Sequence, residues 1–287
     1  MEDSALPSFA LVVATVDRAD GLRILLDSLE RQSYRRFRVL LVDQNDDDRV
    51  GPAIAGSPDL EIARLRAPRG LSRARNVALP HVDADVVAFP DDDCAYPDDL
   101  LERIARRFAE RPELDGLTGR TTDPDGGSSG RWSTQAGRVE RDTVWHRANS
   151  ASMFLRRHVV ERVGAFDEQL GLGSGSRWSS GEEIDYLVRA LDSGARIEYD
   201  PSLIVHHELR TFTPEELRAV GLRDGGSVGH ILRKHRYPSR VLARMLVRPV
   251  GGVVVSLARR DLARARFHAA TLRGRLAGLR ATSRPGA

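Results

Sequence analysis

Residues 86–97 read VVAFPDDDCAYP, with three carboxylates, Asp91, Asp92 and Asp93, directly after an apolar run of strand character. Two unit charges about 4 Å apart repel by roughly 4 kcal/mol at an effective dielectric near 20. The triplet therefore needs water, a helix N-terminus or a cation. The helix expected over 97–111 carries its own acids, Asp98 and Asp99, in its first turn, enough to serve its dipole. Asp91 and Asp93, two residues apart, can converge on one hard divalent cation whose free positions suit phosphate oxygens. Asp92 is then expected to point away as a solvated neighbour.

Three further clusters invite the same question. His206-His207 follows the apolar run SLIV. Adjacent strand residues face opposite sides, so at most one of the pair joins a shared site. One imidazole with two carboxylates suits Mn²⁺ or Mg²⁺, the nitrogen favouring Mn²⁺. In Gly181-Glu182-Glu183-Ile184-Asp185 a Gly-rich loop meets a helix. That is an acidic first turn or a carboxylate general base beside a closing loop. Trp178, in the same loop, either stacks on a sugar ring or anchors the loop. Arg69, Arg73 and Arg75 are candidates for pairing with phosphate, competing with plain surface roles in so arginine-rich a chain.

The elements that must position these groups are legible. FALVVATV (9–16), FRVLLVDQ (37–44), LEIARLRA (60–67) and DVVAFP (85–90) are apolar runs of strand length. Between them, Leu22, Leu25, Leu26 and Leu29 recur at helical spacing, and LSRARNVALP (71–80) is a short helix stopped by Pro80. This alternation predicts a parallel α/β sheet. Farther on, 154–169 reads as a helix and turn, 183–194 as a helix, and ARIEYDP and SLIVHHE as two short strands. Three polar clusters (Thr15–Arg18, Asp43–Asp46 and the acidic triplet) fall at strand ends, where open parallel sheets bind ligands.

Charge divides the chain. From Glu208 onward there are 17 basic and 5 acidic residues, leaving 27 of the 44 basic and 36 of the 41 acidic residues for the first 207. The expected division is a catalytic domain over 1–208, its two halves about 1–115 and 116–208, and a basic helical extension over 209–287. The extension either packs on the acidic body or rests on an anionic membrane surface. With few aromatics and no binding motif, it is not expected to bind nucleic acid. Its stretch VRPVGGVVVSLARR is read as too short and interrupted to span a bilayer. A single cysteine, Cys94, read as packing, and no signal-like start in MEDSALPSFA predict a cytoplasmic setting, peripheral on the inner face of the membrane if the extension binds lipid.

In order along roughly 9–208, these segments resemble inverting, nucleotide-sugar-dependent glycosyltransferases of family 2, which have the GT-A fold: a Rossmann-like, mostly parallel central sheet flanked by helices. The opening strand–helix–strand ends on Asp43. RGLSRARNVAL is similar to the family's Gly–Ala-Arg-Asn segment, and FPDDDCAYP to its D-x-D motif. VGAFDEQLGLGSGSRWSSGEEIDYLVRALDSGARIEYDPSLIVHHE is similar to its acceptor-side half. The resemblance implies that Thr15, Asp17 and Asp43 line the base and ribose pocket, with Arg73 near phosphate. Asp91 would sit near ribose and metal, Asp92 beside it, and Asp93 and His207 would ligate the metal. The family's Glu-Asp-x-Asp is here Glu182-Glu183-Ile184-Asp185. Glu183 is thus the implied base, one methylene longer than expected, with Asp185 and Glu182 as alternates. The implied donor is a UDP-, GDP- or dTDP-sugar, and the acceptor a glycan or lipid-linked hydroxyl.

Two other functions fit parts of the pattern. A sugar-nucleotide nucleotidyltransferase needs a Gly-rich, basic loop after the first strand, which ATVDRADG does not supply. A non-catalytic cation- or glycan-binding protein would hold a structural ion, but no EF-hand loop is present. The dinucleotide fingerprint G-x-G-x-x-G after the first strand and the P-loop are absent as well.

Overall fold

The computed structural model describes residues 6–128, 130–209 and 211–281. The first five residues, Ser129 of the 121–132 loop, and Arg210 and 282–287 of the expected extension lie outside the described residues.

Among the described residues, nine strands join in one sheet. β1 (Phe9–Thr15), β2 (Phe37–Asp43), β3 (Ile62–Arg66) and β4 (Val86–Ala88) pair in parallel in the order β3-β2-β1-β4. Each strand lies within two residues of its expected bounds; β1, β2 and β4 are apolar, β-branched runs that are largely buried, while the edge strand β3 is only half-buried. α1 (Ala19–Glu30) packs Leu22, Leu25, Leu26 and Leu29 into the core, all four fully buried. α3 (Leu71–Ala78) ends in a 3-10 turn containing Pro80, as expected from proline's missing donor.

The other half of the sheet departs from the expectation. Beyond β4 the order continues through β8 (Met153–Arg156), β6 (Gly116–Thr122), β9 (Ile197–His207) and β5 (Cys94–Ala95), with β7 (Gly137–Arg138) on β9. β8 (Met153–Arg156) lies in the stretch read as helix. It runs antiparallel to both β4 and β6 (Gly116–Thr122), and only then does helix α6 (Arg157–Val163) begin. β9 (Ile197–His207) is one eleven-residue strand rather than two. Its register against β6 shifts between Thr118 and Arg120, opposite Pro201. A proline has no N–H for the ladder, and the irregularity absorbs it.

The segment after the acidic triplet is pinned by α1. β5 (Cys94–Ala95) pairs antiparallel with the end of β9, setting Cys94 opposite His207. The Tyr96 N–H donates to Ser28 Oγ (3.1 Å), and Gln32 Nε2 donates to the Pro97 carbonyl (2.7 Å). α4 (Leu100–Glu110) starts three residues later than expected, so Asp98 and Asp99 precede it. Asp99 makes no side-chain cap; Gln32 Oε1 accepts the Leu101 N–H instead (3.1 Å). Cys94 is buried and packs in the core, where burial pushes its thiol up.

The chain forms two compact units: one runs through Phe166 and resumes over Tyr186–Leu209, and the other comprises Asp167–Asp185 and the chain from Thr211 on. The first holds the whole sheet. The second is built on α8 (Pro214–Lys234), α9 (Ser239–Ala258) and α10 (Leu262–Arg280). α8 opens on a capping box, Thr213 with Glu216. α8 and α10 run parallel at backbone contact: a Cβ on Gly229 would lie 2.1 Å from the Arg275 carbonyl oxygen, so only glycine permits this approach. One expectation is corrected here. The apolar stretch is part of a 20-residue helix beginning at Ser239, with Pro249 inside it, and by length and composition that helix is long enough to cross a membrane.

Candidate active site

The acidic loop continues β4. Asp91 forms an isolated parallel bridge with Ala14 of β1, which places the triplet at the C-terminal edge of the parallel strands. The three carboxylates divide differently from the expectation. Asp92 is the most buried, its side chain 9% exposed, against 32% for Asp91 and 26% for Asp93. It is therefore not a solvated neighbour. Burial pushes its carboxyl up to about 6, with the neighbouring Thr15 hydroxyl opposing the rise and Asp93 adding to it.

Asp93 is the meeting point of charges. His207 Nε2 lies 3.1 Å from Asp93 Oδ1, brought there by the β5–β9 pairing, and Arg18 contacts Asp93 Oδ2. Arg18 also lies 3.5 Å from Asp92. Burial works against the Asp93 charge, but hydrogen bonding to His207 and the charges of His207 and Arg18 outweigh it, and its pKa is lowered. The hydrogen bond to Asp93 correspondingly raises the His207 pKa. His206, on the opposite face, has a buried Nδ1 without a partner. Asp91 takes other company: Ser150 Oγ donates to it (3.1 Å) and Arg75 lies 3.6 Å away.

Of the three expected metal ligands, then, Asp93 and His207 stand together and Asp91 apart. No group of three or more His, Cys, Asp or Glu is arranged to hold an ion among the described residues. Asp93 and His207 nevertheless fit a divalent cation. Asp93 supplies one oxygen donor and a neutral His207 one nitrogen donor, and phosphate oxygens could complete the shell.

Beside this lies a cleft of about 460 Å³ at the ends of β2 and β3, lined by Asp43–Asp46 and Arg66–Arg69. The volume is within the range of ligand sites. Asp43 is wholly buried beneath it. Its Oδ1 accepts the backbone and side-chain N–H groups of Asn45 (2.9 and 2.7 Å), and its Oδ2 meets Arg64 (2.7 Å) and Arg66 (2.9 Å). Burial pushes the Asp43 carboxyl up, but these partners more than compensate and lower it. The Asp17 N–H donates to Asn45 Oδ1 (2.7 Å) from a left-handed backbone, φ 58°. The Asp17 carboxylate joins Arg49 (3.2 Å) and Arg69 (2.8 Å). Thr15 is fully buried between these groups and the acidic loop. Arg73 donates to the Arg69 carbonyl.

Sequence reasoning passed over Arg66 and Arg18, and offered Arg75 only as one of three candidate phosphate partners competing with surface roles. Arg75 is 1% exposed, contrary to the surface reading. Its guanidinium lies over Phe89 and Phe166, at 5.7 and 5.4 Å, and aromatic faces offset its desolvation. The LSRARN helix placed it, but nothing local in that stretch separates it from Arg73. Arg66 sat unremarked at the end of a predicted strand, and Arg18 inside the first polar cluster, which is the signal that could have found both.

The second unit carries the other acidic motif, at the start of α7 (Glu182–Asp192). Gly181 precedes it with φ 83°, a conformation strained for any side chain. The three carboxylates have separate fates. Asp185 is fully buried, and its Oδ1 is held by Lys234 Nζ (2.6 Å) and His235 Nε2 (2.7 Å) of α8 and its C-cap. Glu182 is 5% exposed, and Glu183 is the one that retains solvent access. Trp178 stacks on His230 at 4.9 Å and is 8% exposed. Asp185→Asn removes the buried charge shared by His235 and Lys234, although Lys234 keeps Asp167 at 2.6 Å. We expect a loss of about 2 kcal/mol, read as a lower urea midpoint that Glu183→Gln does not share.

A curled α/β sheet with a nucleotide-sized cleft and an acidic loop at its carboxyl edge is the architecture of a GT-A glycosyltransferase. Residues 10–164 match the model of glycosyl transferase family 2, and the chain belongs to that family. Among its relatives is glycosyltransferase AglE of Haloferax volcanii, 26% identical over 219 residues, covering 73% of this chain and 69% of that one. The pre-mycofactocin glycosyltransferase of Mycobacterium tuberculosis is 28% identical over 217 residues, 70% of this chain but only 43% of the relative. The fold is similar to mannosyltransferase PcManGT of Pyrobaculum calidifontis, solved with GDP-Man and Mn²⁺. Its TM-score is 0.69 at 17% identity, covering 97% of this chain and 89% of that one. S. aureus TarS 1–349 with UDP-GlcNAc is similar at a TM-score of 0.62 and 17% identity, covering 90% and 89%.

Proposed function

We propose that this glycosyltransferase moves a sugar from a nucleoside-diphosphate sugar to an acceptor hydroxyl in a single inverting displacement that needs Mn²⁺ or Mg²⁺. The observation that carries the proposal is the Asp93–His207 pair standing next to the Asp43–Arg69 cleft at one sheet edge. The nucleoside lodges in the cleft, near Thr15, Asp17 and Asp43, and the diphosphate extends toward Asp91, Asp93 and His207 with Arg73 beside it. Asp92, buried behind them, shapes the loop. Asp93 and His207 would hold the divalent ion, which would supply charge neutralisation for the departing diphosphate. The GDP-Man and Mn²⁺ held by PcManGT support this assignment.

Glu183 is the base in this proposal. As the acceptor oxygen attacks the anomeric carbon, its proton passes to the Glu183 carboxylate while the bond to the diphosphate oxygen breaks on the opposite side of the carbon. One base and one displacement invert the configuration. The solvent access of Glu183, against the burial of Glu182 and Asp185, favours it over both alternates. The acceptor is a glycan or lipid-linked hydroxyl. Thermal-shift titration with UDP, GDP and dTDP, with and without Mn²⁺, tests the donor site. One nucleotide should raise the melting midpoint by several degrees, and only with the metal. No response to any nucleotide would sink the proposal.

A further inference from the structure

The second unit has an outward face that glycosyl transfer leaves unexplained. α9 buries Val241, Met245, Pro249 and Ser256. On its other side Val247, Val250, Val254 and Leu257 stand 65%, 45%, 62% and 51% exposed. Their spacing puts them in one stripe along the helix, and Val255 and Leu262 widen it, at 51% and 60%. Soluble proteins seldom leave such a contiguous patch uncovered. Arginines collar it: Arg240 and Arg244 precede it, Arg248 follows its first valine, and Arg259, Arg260 and Arg264 come after it. Over 239–281 there are ten arginines and one acid, Asp261, which caps α10 by accepting the Arg264 N–H.

We propose that this face docks on an anionic lipid bilayer, with α9 lying in the plane of the interface. The valine stripe enters the boundary between headgroups and acyl chains, and the arginine collar meets the anionic headgroups. Charge complementarity selects this occupant: an excess of nine positive charges in one segment suits an anionic surface, and would oppose a second copy of itself.

The same geometry argues against spanning, although α9 is long enough. Arg244 and Arg248 would fall within the hydrocarbon, where charged side chains are costly. Neighbouring helices would have to follow. Gly252 brings α9 against the His268 ring of α10, and the contacts of Gly221, Gly225 and Gly229 with Phe267, Thr271 and Arg275 lay α8 alongside α10. α8 carries Glu215, Glu216 and Asp224. An interfacial orientation leaves those acids in water.

Flotation of the full-length protein with phosphatidylcholine vesicles, with and without roughly a third phosphatidylglycerol, tests this. The protein should float with the anionic vesicles only, and raising the salt should release it. Val250→Asp/Val254→Asp, placed on solvent-exposed positions, should cut binding at least tenfold. Arg244→Gln/Arg248→Gln should weaken it severalfold. Nucleotide-dependent thermal shifts of both variants should equal the parent's, which separates failure of this proposal from failure of the donor-site assignment. Equal binding to neutral vesicles, undiminished binding by the aspartate variant, or a lipid-free dimer that this variant dissociates would overturn it.

Discussion

Asp93→Ala is expected to lower nucleotide-sugar turnover by about 10²- to 10³-fold, the cost of removing one charge-stabilising group from a site where negative charge develops. The residue has two partners and no substitute. Asp91 is engaged by Ser150 and Arg75, and Asp92 is buried with its carboxyl pushed up. The loss should be accompanied by a rightward shift of the Mn²⁺ titration, and Asp93→Asn, which keeps the shape and loses the charge, should behave in the same way. The fold is expected to survive, because removing Asp93 also relieves repulsion within the triplet. Full turnover at saturating Mn²⁺ in Asp93→Ala would show that the cation is held elsewhere.

Glu183→Gln should have a comparable effect by a different route. Removing a general base costs about 10²- to 10⁴-fold in kcat, while donor affinity, read by the thermal shift, stays unchanged. Among the three acids of the motif this pattern should be unique to Glu183. Asp185→Asn is expected to act through stability, since Lys234 and His235 depend on it, and Glu182→Gln to have a smaller effect on kcat. The acidic limb of the parent's pH–rate profile should disappear in Glu183→Gln. If kcat instead collapses in Glu182→Gln and persists in Glu183→Gln, the base has been misassigned by one residue.

The nucleotide half was legible because β1, β2 and β4 are largely buried apolar runs. FALVVAT and FRVLLVD announce themselves by composition, and the leucines of α1 by period. The other half depends on partners. MFLR is too short to declare itself, and GLTGRTT is poor in β-branched apolar residues; both are strands because β4 and β9 offer ladders. Pro201 divided β9 on paper, while in three dimensions a register shift accommodates it.

The site followed the same division. Residue type and spacing pointed to Asp91, Asp93 and one of the two histidines, the family resemblance implied His207, and strand pairing brings Asp93 and His207 together. Alternation alone misjudged Asp92, because it sits in a turn between the Asp91 bridge and β5, and a turn does not obey the period of two. Trp178 and Asp185 were ambiguous in sequence because their partners, His230, Lys234 and His235, come from α8, some 50 residues onward.

The most direct measurement of the central claim is ¹H NMR observation of turnover with the nucleotide sugar selected by the thermal-shift panel, in Mn²⁺, reading the anomeric coupling of the first-formed product. The account predicts that an α-linked donor yields a β-configured product, and that chelating the metal stops the reaction. Retention of configuration, or undiminished turnover in chelator, would contradict it.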